Sequence, residues 1–235
     1  MKRAAASPLT TSLILIAPLY LAYEVGVMFS TTMNGVDFVT YALYTAVGSS
    51  RRNFLLLHLA IALALLVWVV RLRRRGALSA AQLAPLCAES AVWALGLGTV
   101  MVVVVERMLH LAAALAAGAG DPLVLGATGQ AVVISLGAGV HEELVFRLIL
   151  LGGLAALLRR LGAHPRLALA AAVIGSALLF AAAHHLGARG EPFTTQVFVF
   201  RALAGAVFGL IFWYRSLAHA VYAHAFYDLY VLVLR

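Results

Sequence analysis

Long apolar runs separated by short polar joints constrain the fold of this chain more than any other feature. A helix needs about 20 mostly apolar residues to cross a bilayer, and seven runs supply spans of that order. They lie at residues 9–29, 53–70, 91–105, 130–158, 167–187, 197–214 and 216–234, with a shorter apolar piece at 38–48. The pattern predicts an all-α fold, a polytopic membrane helical bundle of about seven to eight transmembrane helices.

Composition and charge also indicate a membrane protein. Only 11% of the residues are charged, whereas soluble domains average about 25%. The net charge of +8 would suggest nucleic-acid binding in a soluble protein, but here the Arg residues cluster at the ends of apolar runs. That placement serves topology, so we expect no nucleic-acid partner, and the clusters at 71–75 and 159–166 predict a cytoplasmic N-terminus. We expect one integral-membrane domain over residues 1–235.

The stretch HEELVFR at 141–147 places two carboxylates and an arginine inside the fourth apolar run. Charged side chains are costly in hydrocarbon, so their presence there is a functional hypothesis. Glu143 and Arg147 are four residues apart, share a helix face and can pair. Glu142 then faces another direction, in apolar surroundings that suit a general base.

Two later runs carry histidines at helical spacing from a partner. Phe180 and His184 are four residues apart, and so are His224 and Asp228. A carboxylate at that offset can set the tautomer of an imidazole, which predicts this role for Asp228. The fourth, fifth and seventh runs are therefore expected to form one site.

One glutamate and two histidines brought together by three helices support two kinds of chemistry. Glu142, His184 and His224 could hold a zinc ion with an open fourth position. Alternatively, Glu142 could activate water as a base while the histidines stabilise an oxyanion, with no cofactor. The residue pattern leaves both open.

Three motifs in order, EExxxR at 142–147, FxxxH at 180–184 and HxxxD at 224–228, resemble those of the CAAX prenyl protease and bacteriocin-processing (CPBP) family. The resemblance covers about residues 130–234, and the glycine-bearing run with Gly205 and Gly209 is part of it. Members of this family are glutamic-type intramembrane endopeptidases. The PLYLAYEVGV and NGVD stretches of the front half are similar to bacterial members related to myxosortases, which process C-terminal sorting tails.

The resemblance implies roles for individual side chains. Glu142 and His184 would activate water, while His224 and Asp228 would stabilise the oxyanion. The family often has Asn at the last position, and ionised Asp only accepts hydrogen bonds, so Asp228 must be protonated, orient His224 or help bind a metal. The resemblance implies supporting roles for Glu143, Arg147 and Phe180.

The expected function is hydrolysis of a peptide bond, near the C-terminus, in a membrane-tethered or transmembrane protein. The expected location is the cell inner membrane, with the lipid bilayer as the surrounding partner. Two other classes use the same residues: a proton- or ion-coupled transporter, and a non-catalytic membrane immunity or scaffold protein. The last class predicts that the carboxylate and the histidines do not converge.

Overall fold

A computed structural model describes residues 8–31, 37–74, 80–102, 125–186 and 192–233, and every regular element in these ranges is helical. A 3₁₀ turn spans Ala80–Gln82, and a π-helical segment, Ala138–Leu151, joins α5 to α6. The α-helices are α1 Pro8–Val27, α2 Phe38–Ala46, α3 Arg51–Arg74, α4 Leu83–Val102, α5 Ala127–Gly137, α6 Gly152–Arg160, α7 Pro165–Ala183, α8 Thr195–Tyr214 and α9 Leu217–Val233. The predicted all-α fold class is confirmed.

Four of the described helices, α1, α3, α7 and α8, are long and apolar enough to cross a membrane. Twenty residues of helix rise about 30 Å, the thickness of the hydrocarbon core. The other three predicted runs are helical as well, in α4, in the continuous α5–π–α6 rod and in the 17-residue α9. The structure confirms a helical membrane bundle, while the number of crossings stays a prediction.

One helix begins earlier than the sequence analysis predicts. The fourth run was expected to begin at about residue 130, whereas α5 begins at Ala127. The end of the third run, at residues 103–105, lies outside the described residues. The short apolar piece at 38–48 forms α2, whose nine residues are too few to span.

The helices that carry the site begin at recognisable caps. Pro165 opens α7, where its missing N–H costs nothing, and His164 Nδ1 accepts a hydrogen bond from the backbone N–H of Arg166 at 3.3 Å. Thr194 caps α8, since its hydroxyl oxygen accepts from the N–H of Val197 at 3.2 Å. These caps fix where each helix starts and therefore which residues face the bundle.

Helix α9 is the central element, with α1, α4, α5, α8 and the π-helical segment packed around it. Its buried alanines, among them Ala220 and Ala223 at 0% exposure, allow neighbouring backbones to approach. One close approach is at Gly139, where an added Cβ would lie 2.8 Å from the carbonyl oxygen of Val221. The π-helical segment and α9 are thereby held together beside the ionisable residues of both.

The π-helical segment is 14 residues long, whereas most π-helices are single turns and are frequent at functional sites. At its end the backbone N–H of Gly152 bonds to the carbonyl of Arg147, a five-residue step. Residues 138–143 are all buried. Three consecutive ionisable residues of the segment therefore face different partners: His141 lies near Asp37, Glu142 near His184 and Glu143 near His224.

Candidate active site

Three side chains from three elements meet in the part of the chain that the structure describes. Glu142 lies on the π-helical segment, His184 directly after α7 and His224 on α9. Glu142 Oε2 is 3.8 Å from His184 Nε2 and 3.9 Å from His224 Nε2. These separations exceed a direct hydrogen bond and suit a bridging water or a substrate atom.

Glu143 connects the π-helical segment to α9. Its Oε1 accepts a hydrogen bond of 2.7 Å from His224 Nδ1, and its Oε2 is 3.1 Å from Arg147 Nε. Glu143, rather than Asp228 as the spacing suggested, accepts the Nδ1–H of His224, and the role expected for Asp228 stays a prediction. Asp228 Oδ2 instead lies 3.6 Å from the other ring nitrogen, Nε2.

Arg147 is buried and is held from several directions. Its Nη2 donates to the carbonyl oxygen of Gly205 at 3.2 Å, across to α8. Its guanidinium carbon lies 4.4 Å from the ring centroid of Phe180 and 5.5 Å from that of Phe208, in cation–π contact with both. Two aromatic rings therefore flank the guanidinium that pairs with Glu143. Through these contacts Arg147 connects α7 and α8 to the π-helical segment.

Gly205, whose carbonyl accepts the hydrogen bond from Arg147, lies where α8 packs closely on α7. A Cβ added there would lie 3.1 Å from the Phe180 ring and 3.2 Å from the backbone of Ala177. Such contacts are tighter than side chains usually make, so a larger residue would separate α8 from α7 and move the carbonyl that Arg147 needs. The sequence resemblance flagged this glycine without its reason.

His184 is oriented by the helix it follows. Its Nδ1 donates to the carbonyl oxygen of Phe180 at 2.8 Å, so the neutral ring carries its lone pair on Nε2, toward Glu142. The Phe180 ring packs edge-on against the imidazole, with centroids 4.7 Å apart. The side chain is 16% exposed, which leaves this edge of the site open to a reactant.

His224 stacks on an aromatic ring and has a carboxylate near each of its ring nitrogens. Its ring lies parallel to Phe208, with centroids 4.4 Å apart and planes 14° apart. Asp228, 17% exposed at its side chain, lies on the open side. Arg201 on α8 is close enough to Asp228 for their charges to interact. Arg201 lies inside the sixth apolar run and is not among the predicted site residues.

We call Glu142, Glu143, Arg147, His184, His224 and Asp228 the active-site cluster. Carboxylate and imidazole ligands suit zinc, and Glu142, His184 and His224 are the residues that would hold it there. Within the described residues, however, the set whose ligand atoms all lie within 4.8 Å of one another is Glu24, Asp37 and His141. Zinc at the active-site cluster stays a prediction.

That second set was missed by sequence reasoning. Glu24 on α1, Asp37 before α2 and His141 on the π-helical segment are buried together, and His58 on α3 lies beside Glu24. We call these four residues the N-terminal cluster. Glu24 and His58 are conspicuous in the sequence as ionisable residues in apolar runs, which was a usable signal. Their meeting with Asp37 depends on tertiary packing.

The chain was compared with family models, curated proteins and solved structures. Residues 125–230 match the model described as type II CAAX prenyl endopeptidase Rce1-like. This segment, slightly less than half of the chain, is similar to an Rce1-like domain. No curated protein and no solved structure matches the chain.

The Rce1-like domain confirms the resemblance to the CPBP family and indicates a peptidase, a CAAX-type intramembrane endopeptidase in general. With the apolar helices, it supports a multi-pass membrane protein that acts on a membrane-embedded protein substrate. The myxosortase-like subtype stays a prediction. All six residues of the active-site cluster fall inside the matched segment, whereas Glu24, Asp37 and His58 lie outside it.

Proposed function

We propose that the protein is a glutamic-type endopeptidase, in which Glu142 and His184 activate water to cleave a membrane-associated protein near its C-terminus. The observation that carries the proposal is the position of Glu142 Oε2, 3.8 Å from His184 Nε2 and 3.9 Å from His224 Nε2. A water molecule bound between these atoms would be within reach of a base and of two imidazoles.

In the proposed reaction, the water oxygen attacks the carbonyl carbon of the scissile bond while Glu142 accepts the water's proton. His184, whose Nδ1 is held by the Phe180 carbonyl, keeps the water aligned through Nε2. When the tetrahedral intermediate collapses, the C–N bond breaks and Glu142 returns the proton to the leaving amine. No proton is lost from the site during the cycle.

The oxyanion of that intermediate is assigned to His224 and Asp228. Glu143 accepts the Nδ1–H of His224 at 2.7 Å, which favours the doubly protonated imidazolium in the way a buried carboxylate does in a catalytic triad. The Nε2–H of the imidazolium then donates to the oxyanion. Asp228 adds a second donor only when it is protonated.

The test uses purified full-length protein in lipid nanodiscs with membrane-anchored peptides that carry C-terminal tails, both prenylated and unprenylated. Products are identified by mass, with and without a chelator. Glu142→Gln is expected to abolish cleavage while leaving the protein folded and inserted, because the amide cannot act as a base. Cleavage by Glu142→Gln at the wild-type rate would remove Glu142 from the mechanism.

Glu89→Gln is the matched control. Glu89 is also a carboxylate on an apolar helix, but its side chain is 31% exposed and it pairs with Arg215 and His219 away from the active-site cluster. Cleavage by this variant should match the wild type. A chelator-sensitive wild type would favour a metal-dependent form of the reaction, and the location of that metal is a separate question.

A further inference from the structure

The N-terminal cluster concentrates negative charge where water has little access. The side chains of Glu24 and Asp37 are each 0% exposed. Among the described residues, the groups that form ion pairs with these carboxylates are the histidines His58 and His141, with no Lys or Arg. Burying charge without compensation is expensive, so this cluster needs positive charge from protons or from an ion.

The histidines are oriented as metal ligands usually are. His141 Nδ1 donates to the carbonyl oxygen of Gly137 at 3.2 Å, and His58 Nδ1 donates to that of Phe54 at 3.0 Å. Each neutral ring therefore directs the lone pair of Nε2 at the carboxylates. His141 Nε2 lies 3.2 Å from Asp37 Oδ1, and a backbone carbonyl on the remote nitrogen is the common outer contact of a metal-bound imidazole.

The carboxylates are also held from outside. Tyr23 Oη donates to Asp37 Oδ2 at 2.7 Å, and the Thr40 hydroxyl donates to Glu24 Oε1 at 2.8 Å. The other oxygen of Glu24, Oε2, is buried and has no close hydrogen-bond donor among the described residues; His58 Nε2 lies 3.4 Å from it, and the Tyr20 hydroxyl lies 3.5 Å from that nitrogen. This oxygen provides the independent sign of a ligand, because a buried oxygen without a donor is costly.

We propose that the N-terminal cluster binds a divalent transition-metal ion of the zinc class. Glu24, Asp37 and His141 are the core ligands, with ligand atoms all within 4.8 Å of one another. His58, beside Glu24 Oε2, is the fourth. Two imidazoles and two carboxylates satisfy the preference of zinc for mixed nitrogen and oxygen ligands in a closed, four-coordinate site.

An ion at this position has a structural role. Its ligands come from α1, the residue before α2, α3 and the π-helical segment. The ion therefore connects the N-terminal helices to the segment matched by the family model, residues 125–230. His141 precedes Glu142 directly in the chain. The ion therefore stabilises the backbone from which the proposed base projects, without touching the substrate.

The experiment measures metal content of full-length protein purified in detergent without chelator, followed by titration of metal-stripped protein with zinc chloride and with cobalt chloride. The wild type is expected to hold about one zinc per chain in a closed site and to give the visible bands of tetrahedral cobalt. Loss of an outer contact of a metal ligand lowers affinity by roughly 10- to 100-fold. Glu24→Gln and Asp37→Asn remove a ligand itself, so each should lower zinc affinity by more than that.

Glu142→Gln is the matched control, since it makes the same change at the residue next to His141 in the active-site cluster. It should retain the metal of the N-terminal cluster. Two equivalents in the wild type, with one lost in each variant, would support this site and add a second one at Glu142.

Two results would overturn the proposal. One is loss of the metal in Glu142→Gln with retention in Glu24→Gln, which would place the ion at the active-site cluster alone. The other is wild-type protein that binds neither zinc nor cobalt, which would leave the N-terminal cluster as a network of protonated histidines and carboxylates. The wild-type titration decides the matter even where a variant fails to fold.

Discussion

The active-site cluster and the N-terminal cluster share the π-helical segment but solve the problem of buried charge differently. Arg147 supplies the active-site cluster with a permanent cation, and the side chains of His184 and Asp228 at its open edge are 16% and 17% exposed. In the N-terminal cluster, Glu24 and Asp37 are fully enclosed and are paired with histidines. The active-site cluster contains its own cation and is partly exposed, whereas the N-terminal cluster is closed and has only histidines beside its carboxylates.

The largest expected effect comes from removing the internal cation. Arg147→Met should destabilise the folded protein by about 3–5 kcal/mol, because Glu143 is left buried without its partner. The measurement is thermal or denaturant unfolding in detergent. The double variant Glu143→Gln, Arg147→Met should recover part of this loss, since it removes both charges.

Arg215→Met is the control for that pair. Arg215 forms an ion pair with Glu89, but its side chain is 49% exposed, so its removal should change stability little. Equal destabilisation by Arg147→Met and Arg215→Met would show that the buried pair is not what holds the active-site cluster together.

The second prediction separates the two clusters by the property that each affects. His184→Gln should lower kcat/KM by about 10²–10⁴ with a small change in unfolding temperature, as expected for a group that assists proton transfer. His58→Gln should do the reverse, lowering the unfolding temperature and the metal content while the kcat/KM of the folded fraction changes little. Both variants are assayed in the same nanodiscs. Equal losses of kcat/KM in the two variants would contradict the assignment of catalysis to one cluster and stability to the other.

The third prediction concerns the glycine that lies between the clusters. Gly139→Ala should cost about 1–3 kcal/mol, because the added Cβ would meet the Val221 carbonyl at 2.8 Å and Ala225 Cβ at 2.9 Å. Gly153→Ala, on the same rod with nothing within 4 Å of its added Cβ, should be neutral or slightly stabilising. Unfolding of the two variants measures the contrast, and equal stabilities would argue against tight packing of α9 at this point.

The smallest expected effect is at Asp228. Asp228→Asn should keep kcat/KM within about tenfold at low pH, a change of roughly 1.4 kcal/mol or less in transition-state stabilisation. Asn donates at any pH, whereas Asp donates only when protonated, so wild-type activity should fall relative to the variant as pH rises. The ratio of the two pH profiles is the measurement. A constant ratio would mean that Asp228 orients His224 rather than donating to the oxyanion.

Much of the fold could be predicted because hydrophobic runs in a bilayer leave the backbone little choice but helix. Local pairs were also predictable, since Glu143 and Arg147 are neighbours on any helix and meet at 3.1 Å. The bond between Glu143 and His224 was not, because 81 residues separate them and it depends on how α9 packs. The sequence spacing therefore indicated Asp228 as the partner of His224, whereas Glu143 lies closer to the ring, at 2.7 Å against 3.6 Å.

The N-terminal cluster shows the same limit. Asp37 follows a turn signal in the sequence, and nothing local indicates that its carboxylate turns inward. It does so because it caps α2, accepting the Thr40 N–H at 2.9 Å, and because Tyr23 on α1 donates to it at 2.7 Å. Periodicity can identify a buried face, but the convergence of four elements is a tertiary property.

The dependence of the active-site cluster on α9 also has a consequence for biosynthesis. A nascent chain that has emerged from the ribosome only as far as Tyr214 contains Glu142 and His184 but lacks His224, which donates a hydrogen bond to Glu143 and is assigned to the oxyanion. Under the proposed mechanism, such a chain cannot yet cut. On that proposal, proteolysis would begin only after α9 has inserted.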